Sequence, residues 1–303
     1  MKSGSRQGEP TGGSGSAERR KRVIPISFQL AGATLNLASL IHNEWASGVL
    51  AGLWFTVFQS GQKPWVKEFW DSADERIEIT VDGGRIPVYC WGQGPLVVTM
   101  HGWSGSGTQF RQFIDPLVAG GFRVACFDAP AHGDNPGRRT HLINFSASLF
   151  AIEESIGRID CVIAHSLGAM AAVYAMQQGL AADRAVLVAP HLDVQKMFET
   201  YRDLLGMRSA LANRFHDKIG ARMESILNDD PWEVLNPGKL LSDHEIRGLL
   251  VYDHRDPEVP QALFDEIIDL WGDCEVLATE GLGHNRILKD AAVIDAVVDY
   301  LKS

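Results

Sequence analysis

A serine, an aspartate and a histidine in this chain have the types and positions needed for nucleophilic catalysis. Ser166 lies in residues 161–170, where a short β-branched run stops at Ala164 and a helix-forming segment follows. A serine on so tight a turn, with a small residue two positions away on each side, is typical of a nucleophile elbow. Glycine usually occupies both flanking positions; here they are Ala164 and Gly168, so alanine is a mild departure.

Asp256 and His284 follow later strands of the chain. One apolar strand ends at Tyr252, shortly before Asp256, and another ends at Ala278, shortly before His284. Open α/β sheets collect functional residues at the carboxyl ends of their strands, so we expect these side chains to meet Ser166 there. A serine hydroxyl is a poor nucleophile at neutral pH, and His284 would take its proton and return it to the leaving group. Asp256 would accept a hydrogen bond from the other ring nitrogen and hold the imidazole in place.

Asp253 follows the same strand as Asp256 and competes with it for this role. Because Asp253 adjoins the end of the strand, its direction is tied to the pleat, and we predict a loop-capping hydrogen bond for it. Asp256 lies three residues further on, in the loop before Pro257. The prediction is therefore that Asp256 serves His284.

The elements that would position these residues alternate between strand and helix. Period-two spacing on both sides of Asp82-Gly83-Gly84 predicts a β-hairpin over residues 77–90, and an apolar strand follows at 96–100. Further strands are predicted at 123–127, 161–164, 185–188, 248–252 and 274–278, and helices at 110–119, 143–156, 167–177, 261–271 and 290–301. This alternation indicates the α/β class, with a mostly parallel central sheet covered by helices on both faces.

The sequence divides into four predicted parts. We expect a disordered, basic and glycine-rich tail at 1–22, a helical extension at 23–75, an α/β core at 76–190 and 248–303, and a helical lid insertion at 191–247. The lid is inferred because residues 191–247 show helical spacing and no convincing strand pattern.

Two uncharged stretches lie in the helical extension, at 23–41 and 45–62. A basic start before an apolar run could also belong to a signal peptide or a membrane hairpin. Polar residues dilute both stretches, which favours helices packed on the domain. The residues that can share the packing face are Leu30, Leu37, Leu40 and Ile41.

Composition and charge narrow the classes of function. The chain has 303 residues, of which 45% are apolar, and a formal net charge of −10. Residues 1–22 carry six basic and two acidic residues, a net +4, so the remainder carries −14, which disfavours nucleic acid as a partner. No CxxC pair occurs among the cysteines, so buried thiols and a reducing, cytoplasmic location are expected, with membrane association or export as the alternative. The cysteines are Cys90, Cys126, Cys161 and Cys274.

Five short motifs occur in order along the chain. They are His-Gly-Trp at 101–103, Asp-Ala-Pro-Ala-His-Gly at 128–133, the elbow at 164–168, Asp-Pro-Glu-Val-Pro at 256–260 and Gly-Leu-Gly-His at 281–284. Together they resemble the α/β-hydrolase fold family, in its serine-nucleophile, carboxylesterase-like branch, over roughly residues 76–303. Asn135 departs from the pattern, because many members have serine there. The resemblance implies that the backbone N–H groups of Trp103 and Leu167 form an oxyanion hole.

The resemblance also implies an activity, the cleavage of carboxylic esters through an acyl-enzyme. A thioesterase or acyltransferase would use the same triad, and a non-catalytic binding or signalling protein of this fold is the alternative from another class. Serine at the elbow argues against epoxide hydrolases and haloalkane dehalogenases, whose relatives carry aspartate. We expect a small-molecule ester substrate, in a pocket lined by Trp103, His165, Phe198 and Met223.

Other residues with suggestive chemistry are expected to have no catalytic role. His101, His132 and His165 occupy positions where the family carries structural histidines. No metal-binding motif such as HExxH is present, and the glycines after the strand at 96–100 lack the spacing of a dinucleotide fingerprint. The prediction is therefore no metal and no cofactor.

Overall fold

The computed structural model of the protein describes residues 26–58, 63–241, 246–272 and 274–303, so the predicted tail at 1–22 lies outside it. Eight strands form a single sheet in the order β1-β2-β4-β3-β5-β6-β7-β8. They are β1 (Glu75–Val81), β2 (Gly84–Trp91), β3 (Leu96–Met100), β4 (Arg123–Phe127), β5 (Ile159–His165), β6 (Ala182–Val188), β7 (Arg247–Asp253) and β8 (Cys274–Thr279). The hairpin strand β2 is antiparallel to β1 and β4, and the other neighbouring pairs are parallel.

Helices connect the parallel strands and precede the sheet. They are α1 (Ile26–Trp54), α2 (Pro64–Asp71), α3 (Arg111–Ala119), α4 (Leu142–Ile156), α5 (Leu167–Gln177), α6 (Val194–Leu204), α7 (Ser209–Leu227), α8 (Pro231–Val234), α9 (Pro237–Leu241), α10 (Gln261–Leu270), α11 (Gly283–Arg286) and α12 (Ala291–Lys302). Short 3-10 turns lie at Gly107–Phe110 and Ile287–Lys289. Among the described helices, none is both long enough and apolar enough to cross a membrane.

The central strands of the sheet are buried on both faces, which explains why they are continuously apolar. Side chains alternate between the faces along a strand, so Val97 joins the core under α3 and α12, whereas Val98 joins the core under α4, α5 and α10. In β5, Cys161 and Ile163 point to the first core and Val162 to the second. The predicted mostly parallel sheet with helices on both faces is confirmed.

The N-terminal helix α1 packs on the protein through a different face from the one predicted. The residues expected to face the domain are exposed instead: Leu30 63%, Leu37 66%, Leu40 60% and Ile41 90%. Contact is made at Gly32, where an added Cβ would lie 1.9 Å from the Leu205 carbonyl oxygen. A helix can approach a neighbour this closely only through small residues, so the leucine-rich face is left outward.

The second half of α1 begins after a break at His42, whose φ of −145° and ψ of 77° are not helical. The His42 ring accepts a hydrogen bond from the Trp45 backbone N–H at 3.2 Å, as the capping side chain of a new helix does. Beyond the break, Ala46 and Leu50 are fully buried. Glu44 pairs with Arg214 and Lys218 of α7, and these hydrogen bonds lower the pKa of the Glu44 carboxyl to about 2.

The burial of each cysteine depends on the place of its strand in the sheet. Cys90, Cys126 and Cys161 are buried thiols, as predicted. Cys274 is half-buried, and the prediction of burial is wrong for it because β8 is an edge strand with one flank open to solvent.

Candidate active site

Ser166 occupies the turn between β5 and α5 in a strained backbone conformation. Its φ of 54° and ψ of −121° are unusual for a residue other than glycine, and such strain is maintained only where the surroundings enforce it. The Ser166 backbone N–H donates to the Val188 carbonyl at 3.1 Å, which ties the turn to β6. At Gly168 an added Cβ would lie 2.4 Å from the His101 carbonyl oxygen, so a larger residue would force α5 away from β3.

Three predicted residues form one hydrogen-bonded chain. The Ser166 Oγ lies 3.0 Å from His284 Nε2, and His284 Nδ1 lies 2.8 Å from Asp256 Oδ2. Because an ionised carboxylate only accepts hydrogen bonds, Nδ1 donates to Asp256, which leaves Nε2 free to accept from the serine hydroxyl. The side chains of His284 and Asp256 are 5% and 1% exposed, so solvent does not compete for these bonds.

The two candidate acids have different partners. Asp256 Oδ1 accepts from the backbone N–H groups of Glu258 and Val259 at 2.7 and 3.0 Å, and Oδ2 faces His284. Both oxygens of Asp253 are occupied by its own loop and by the loop that precedes His284. Asp253 is therefore placed to order the loops that carry Asp256 and His284.

Asp253 holds its charge although it is buried. Burial by itself raises the pKa of the Asp253 carboxyl, but hydrogen bonds from the Thr279 hydroxyl and from backbone N–H groups, chiefly that of Leu282, outweigh it. The pKa of Asp253 is lowered as a result, because these donors stabilise the ionised form.

Two backbone N–H groups predicted to form the oxyanion hole lie beside the serine. Leu167 is the first residue of α5, and Trp103 lies in the loop after β3. That loop touches the elbow, since a Cβ added at Gly102 would lie 3.0 Å from the Ser166 Cβ. Neither the Trp103 nor the Leu167 N–H has a hydrogen-bond partner within the part of the chain that the structure describes. Both donors are thus available to a ligand.

The neighbouring histidines are buried and neutral. Burial lowers the pKa of His101 to about 4 and those of His132 and His165 to about 3. His101 donates to the Gly102 carbonyl and accepts from the Ala129 N–H at 2.9 Å. His132 accepts from the Ser104 N–H at 3.0 Å. These contacts hold the loops after β3 and β4 together.

No group of three or more His, Cys, Asp or Glu side chains in the described ranges is placed to hold a metal ion. Asp128, which stands close to His132 in sequence, accepts a hydrogen bond from the Gly107 N–H at 2.8 Å. Burial raises the pKa of the Asp128 carboxyl.

Two residues at the site were missed by sequence reasoning. His191 follows β6, its backbone N–H donates to the Ser166 carbonyl at 3.3 Å, and burial lowers its pKa to about 3. Glu258 Oε2 lies 3.7 Å from His284 Nε2. The position of His191 at the carboxyl end of a strand was the available signal, whereas nothing in the sequence distinguished Glu258 from other loop carboxylates.

A cavity of about 890 Å³ opens at Ser166. Of the predicted pocket residues, Trp103, His165 and Met223 line it, but Phe198 does not. Phe198 is 4% exposed and packs on Phe215 and His216. The prediction for Phe198 is wrong, because the preceding residue of α6, Met197, faces the cavity in its place. The residues of α6 that line the cavity are Val194, Met197, Thr200, Tyr201 and Leu204.

The other wall of the cavity comes from the N-terminal segment, which sequence reasoning treated only as an extension packed on the domain. Seven of the lining residues are apolar side chains of this segment: Phe28, Ala31, Leu35, Leu53, Trp54, Phe55 and Phe58. Trp54 packs edge-to-face on Tyr201, with 5.7 Å between ring centroids. The N-terminal helix and the helices after β6 therefore enclose the cavity jointly.

Known proteins resemble this chain in sequence or in structure. A family model described as the alpha/beta hydrolase family matches residues 97–296. A pimeloyl-[acyl-carrier protein] methyl ester esterase of Methylococcus capsulatus is 36% identical over 84 residues, which are 28% of this chain and 32% of that enzyme.

Two solved structures show the same fold. An esterase of Pyrococcus furiosus superimposes with a TM-score of 0.59 at 17% identity, over 82% of this chain and 96% of that one. The thioesterase domain from the curacin biosynthetic pathway gives a TM-score of 0.53 at 18% identity, over 76% and 99% of the two chains. With a family model that matches most of the chain and an eight-stranded sheet of this topology, the protein belongs to the alpha/beta hydrolase family.

Proposed function

We propose that the protein is a serine hydrolase that cleaves carboxylic esters through an acyl-enzyme intermediate. The observation that carries the proposal is the unbroken hydrogen-bonded chain from Ser166 Oγ through His284 to Asp256, with distances of 3.0 and 2.8 Å. The similarity to an esterase in Methylococcus capsulatus supports the same reaction class.

In the proposed mechanism, His284 Nε2 removes the proton of Ser166 while Oγ attacks the ester carbonyl. The N–H groups of Trp103 and Leu167 would stabilise the oxyanion of the tetrahedral intermediate. His284 then gives its proton to the departing alcohol. In the second half, the same nitrogen deprotonates a water molecule that attacks the acyl carbonyl, and His284 returns that proton to Ser166 Oγ as the acid is released. Asp256 keeps the proton on Nδ1 and stabilises the imidazolium in both halves of the reaction.

The size and lining of the cavity suit an apolar acyl group of medium length. Its volume of about 890 Å³ lies within the range of roughly 300–1,000 Å³ typical of small-molecule pockets. Most of its wall is apolar, and α1, α5, α6 and α7 all contribute apolar side chains to it. In this proposal residues 191–247 act as a lid whose α6 and α7 side chains set the acyl preference.

The first test compares the wild type with Ser166→Ala. Loss of the nucleophile should lower ester hydrolysis by at least roughly 10³-fold while the fold is retained, because covalent chemistry is lost and only the oxyanion hole remains. The measurement is kcat/KM on p-nitrophenyl esters from acetate to palmitate, with an acyl-coenzyme A panel to compare thioesters.

A matched control is Ser104→Ala. Ser104 also lines the cavity, but its hydroxyl accepts a hydrogen bond from the Phe58 N–H and none of its contacts is with His284. A fluorophosphonate probe should label the wild type and Ser104→Ala but not Ser166→Ala. A folded wild-type protein that neither labels nor turns over any ester would instead favour a non-catalytic binding role.

A further inference from the structure

A row of exposed apolar side chains runs along the first half of α1, and we call it the α1 stripe. Its members and their exposed fractions are Ile26 75%, Leu30 63%, Leu37 66%, Leu40 60% and Ile41 90%. At about 100° per residue these positions fall on one side of the helix. Residues 26–43 contain no Asp, Glu, Lys or Arg, so no charge interrupts the stripe. Single exposed leucines are common on proteins, but a contiguous apolar row marks an interaction surface.

Polar contacts on the flank of α1 beside the stripe keep the stripe facing outward. The Asn36 side chain donates to the Gly206 carbonyl at 2.9 Å and accepts from the Arg208 N–H at 2.8 Å. The Asn43 side chain donates to the Ala210 carbonyl at 3.0 Å. Rotating α1 to bury the stripe would break these bonds. The outward orientation is therefore built into the packing of α1 on α6 and α7.

The charge of the sequence before α1 indicates what covers the stripe. Residues 1–22 contain no Leu, Ile, Val or aromatic side chain, and they end in the basic run Arg19-Arg20-Lys21-Arg22. Arg22 is four residues before Ile26 in the sequence. A basic cluster beside an uncharged apolar helical face is the pattern of helices that lie in the interface of an anionic bilayer.

We propose that the α1 stripe docks the protein on the surface of a membrane containing anionic lipids. The apolar side chains of the stripe would enter the headgroup–acyl boundary. Phe28, Ala31 and Leu35, from the same part of α1, line the cavity at Ser166. These three residues lie on the side of α1 away from the stripe, so the docked helix would itself be a wall of the cavity. That position suits esters dissolved in the bilayer; this last consequence rests on the proposed function.

The test is flotation of the full chain with vesicles of phosphatidylcholine alone or of phosphatidylglycerol and phosphatidylcholine in equal parts. The wild type should bind the anionic vesicles, and added salt should weaken binding. A variant with Leu30→Gln, Leu37→Gln and Ile41→Gln should lose binding at least roughly tenfold, because three anchors no longer favour the acyl region. Its fold should persist, since these side chains are exposed.

A matched control carries Leu270→Gln and Val276→Thr, which are 39% and 44% exposed and lie on α10 and β8. This control should bind like the wild type. A second variant carries Arg19→Gln, Arg20→Gln, Lys21→Gln and Arg22→Gln; it should lose binding to anionic vesicles while leaving the stripe intact.

The docking and the catalytic proposals can fail separately. Ser166→Ala should bind vesicles as the wild type does, and the stripe variant should hydrolyse a short soluble ester at the wild-type rate. Absence of vesicle binding by the wild type, or equal binding by the stripe variant, would overturn the docking proposal. A wild type that does not bind vesicles but forms a dimer in light scattering, which the stripe substitutions dissociate, would also overturn the proposal. The partner of the stripe would then be a second copy of the chain.

Discussion

At the scale of single residues, the site depends on two aspartates that differ by three positions and by their partners. Asp256 has one oxygen held by two backbone N–H groups and the other directed at His284. Both oxygens of Asp253 accept hydrogen bonds from other donors, among them the Thr279 hydroxyl at the end of β8 and the Leu282 N–H in the loop that follows. One carboxylate is therefore available to the imidazole, and the other is available only to the loops.

The first prediction at this scale separates the two carboxylates. Asp256→Asn should keep the fold and lower kcat by up to about 10⁴-fold, because the amide no longer holds the proton on Nδ1 of His284. Asp253→Asn should lower kcat much less. It should reduce the free energy of unfolding by about 1–3 kcal/mol, because the amide nitrogen of the asparagine would face hydrogen-bond donors that bind a carboxylate oxygen in the wild type. Both quantities are measured on purified variants with one ester. The opposite ranking of the two kcat values would mean that Asp253 serves His284.

At the scale of elements, the cavity is built by two helical segments that are distant in sequence. α6 presents one side to the cavity and the other to an aromatic cluster, so neighbouring residues have opposite environments. Met197 lines the cavity, while Phe198 is buried against Phe215 and His216. Substrate preference and stability should therefore be separable at adjacent positions.

The prediction for α6 compares Met197→Ala with Phe198→Ala. Met197→Ala enlarges the cavity and should shift the preferred p-nitrophenyl ester to a longer acyl chain with little change in stability. Phe198→Ala should lower the free energy of unfolding by about 3–5 kcal/mol, as expected for a buried phenylalanine, without changing the preferred chain length. Urea unfolding and the ester series give the two readouts. An unchanged chain preference in Met197→Ala would mean that α6 only packs on the domain.

At the scale of the whole molecule, several histidines are buried in the neutral form near the carboxyl ends of the strands. Burial lowers the pKa of His101 to about 4, and it lowers those of His132, His165 and His191 to about 3. In the unfolded chain each would titrate near the ordinary histidine value of about 6.5. Below that pH these histidines bind protons in the unfolded state but not in the folded state, so the free energy of unfolding falls as the pH falls.

The prediction at this scale concerns the pH dependence of unfolding. Between about pH 6 and pH 4, each such histidine should contribute a loss of about 1.4 kcal/mol per pH unit. His101→Gln removes one titrating group while its amide can replace one donor and one acceptor, so the slope of unfolding free energy against pH should fall by about that amount. Chemical denaturation at a series of pH values measures both slopes. Equal slopes in the variant and the wild type would show that His101 is not held neutral by the fold.

The local patterns in the sequence determined the α/β alternation, the position of the elbow and the order of the motif residues. The periodicity of a strand and the beginning of a helix are both encoded within about ten residues of sequence. Strands separated by turn residues can therefore be predicted without knowledge of any distant contact. Ser166 at the end of β5 and His284 after β8 could therefore be placed at one edge of the sheet from the sequence by itself. The resemblance to the family came from the same local motifs.

Only the tertiary structure decided which faces of the helices are buried and which side chains enclose the cavity. The apolar residues of α1 were expected to pack inward, but Gly32 and Asn36 make the close contacts and the stripe faces outward. Phe198 and Met197 are both apolar and adjacent, and the sequence pattern cannot choose between them. The choice depends on the partner surfaces, because an amphipathic pattern states how much apolar surface a helix has and not which neighbour will cover it.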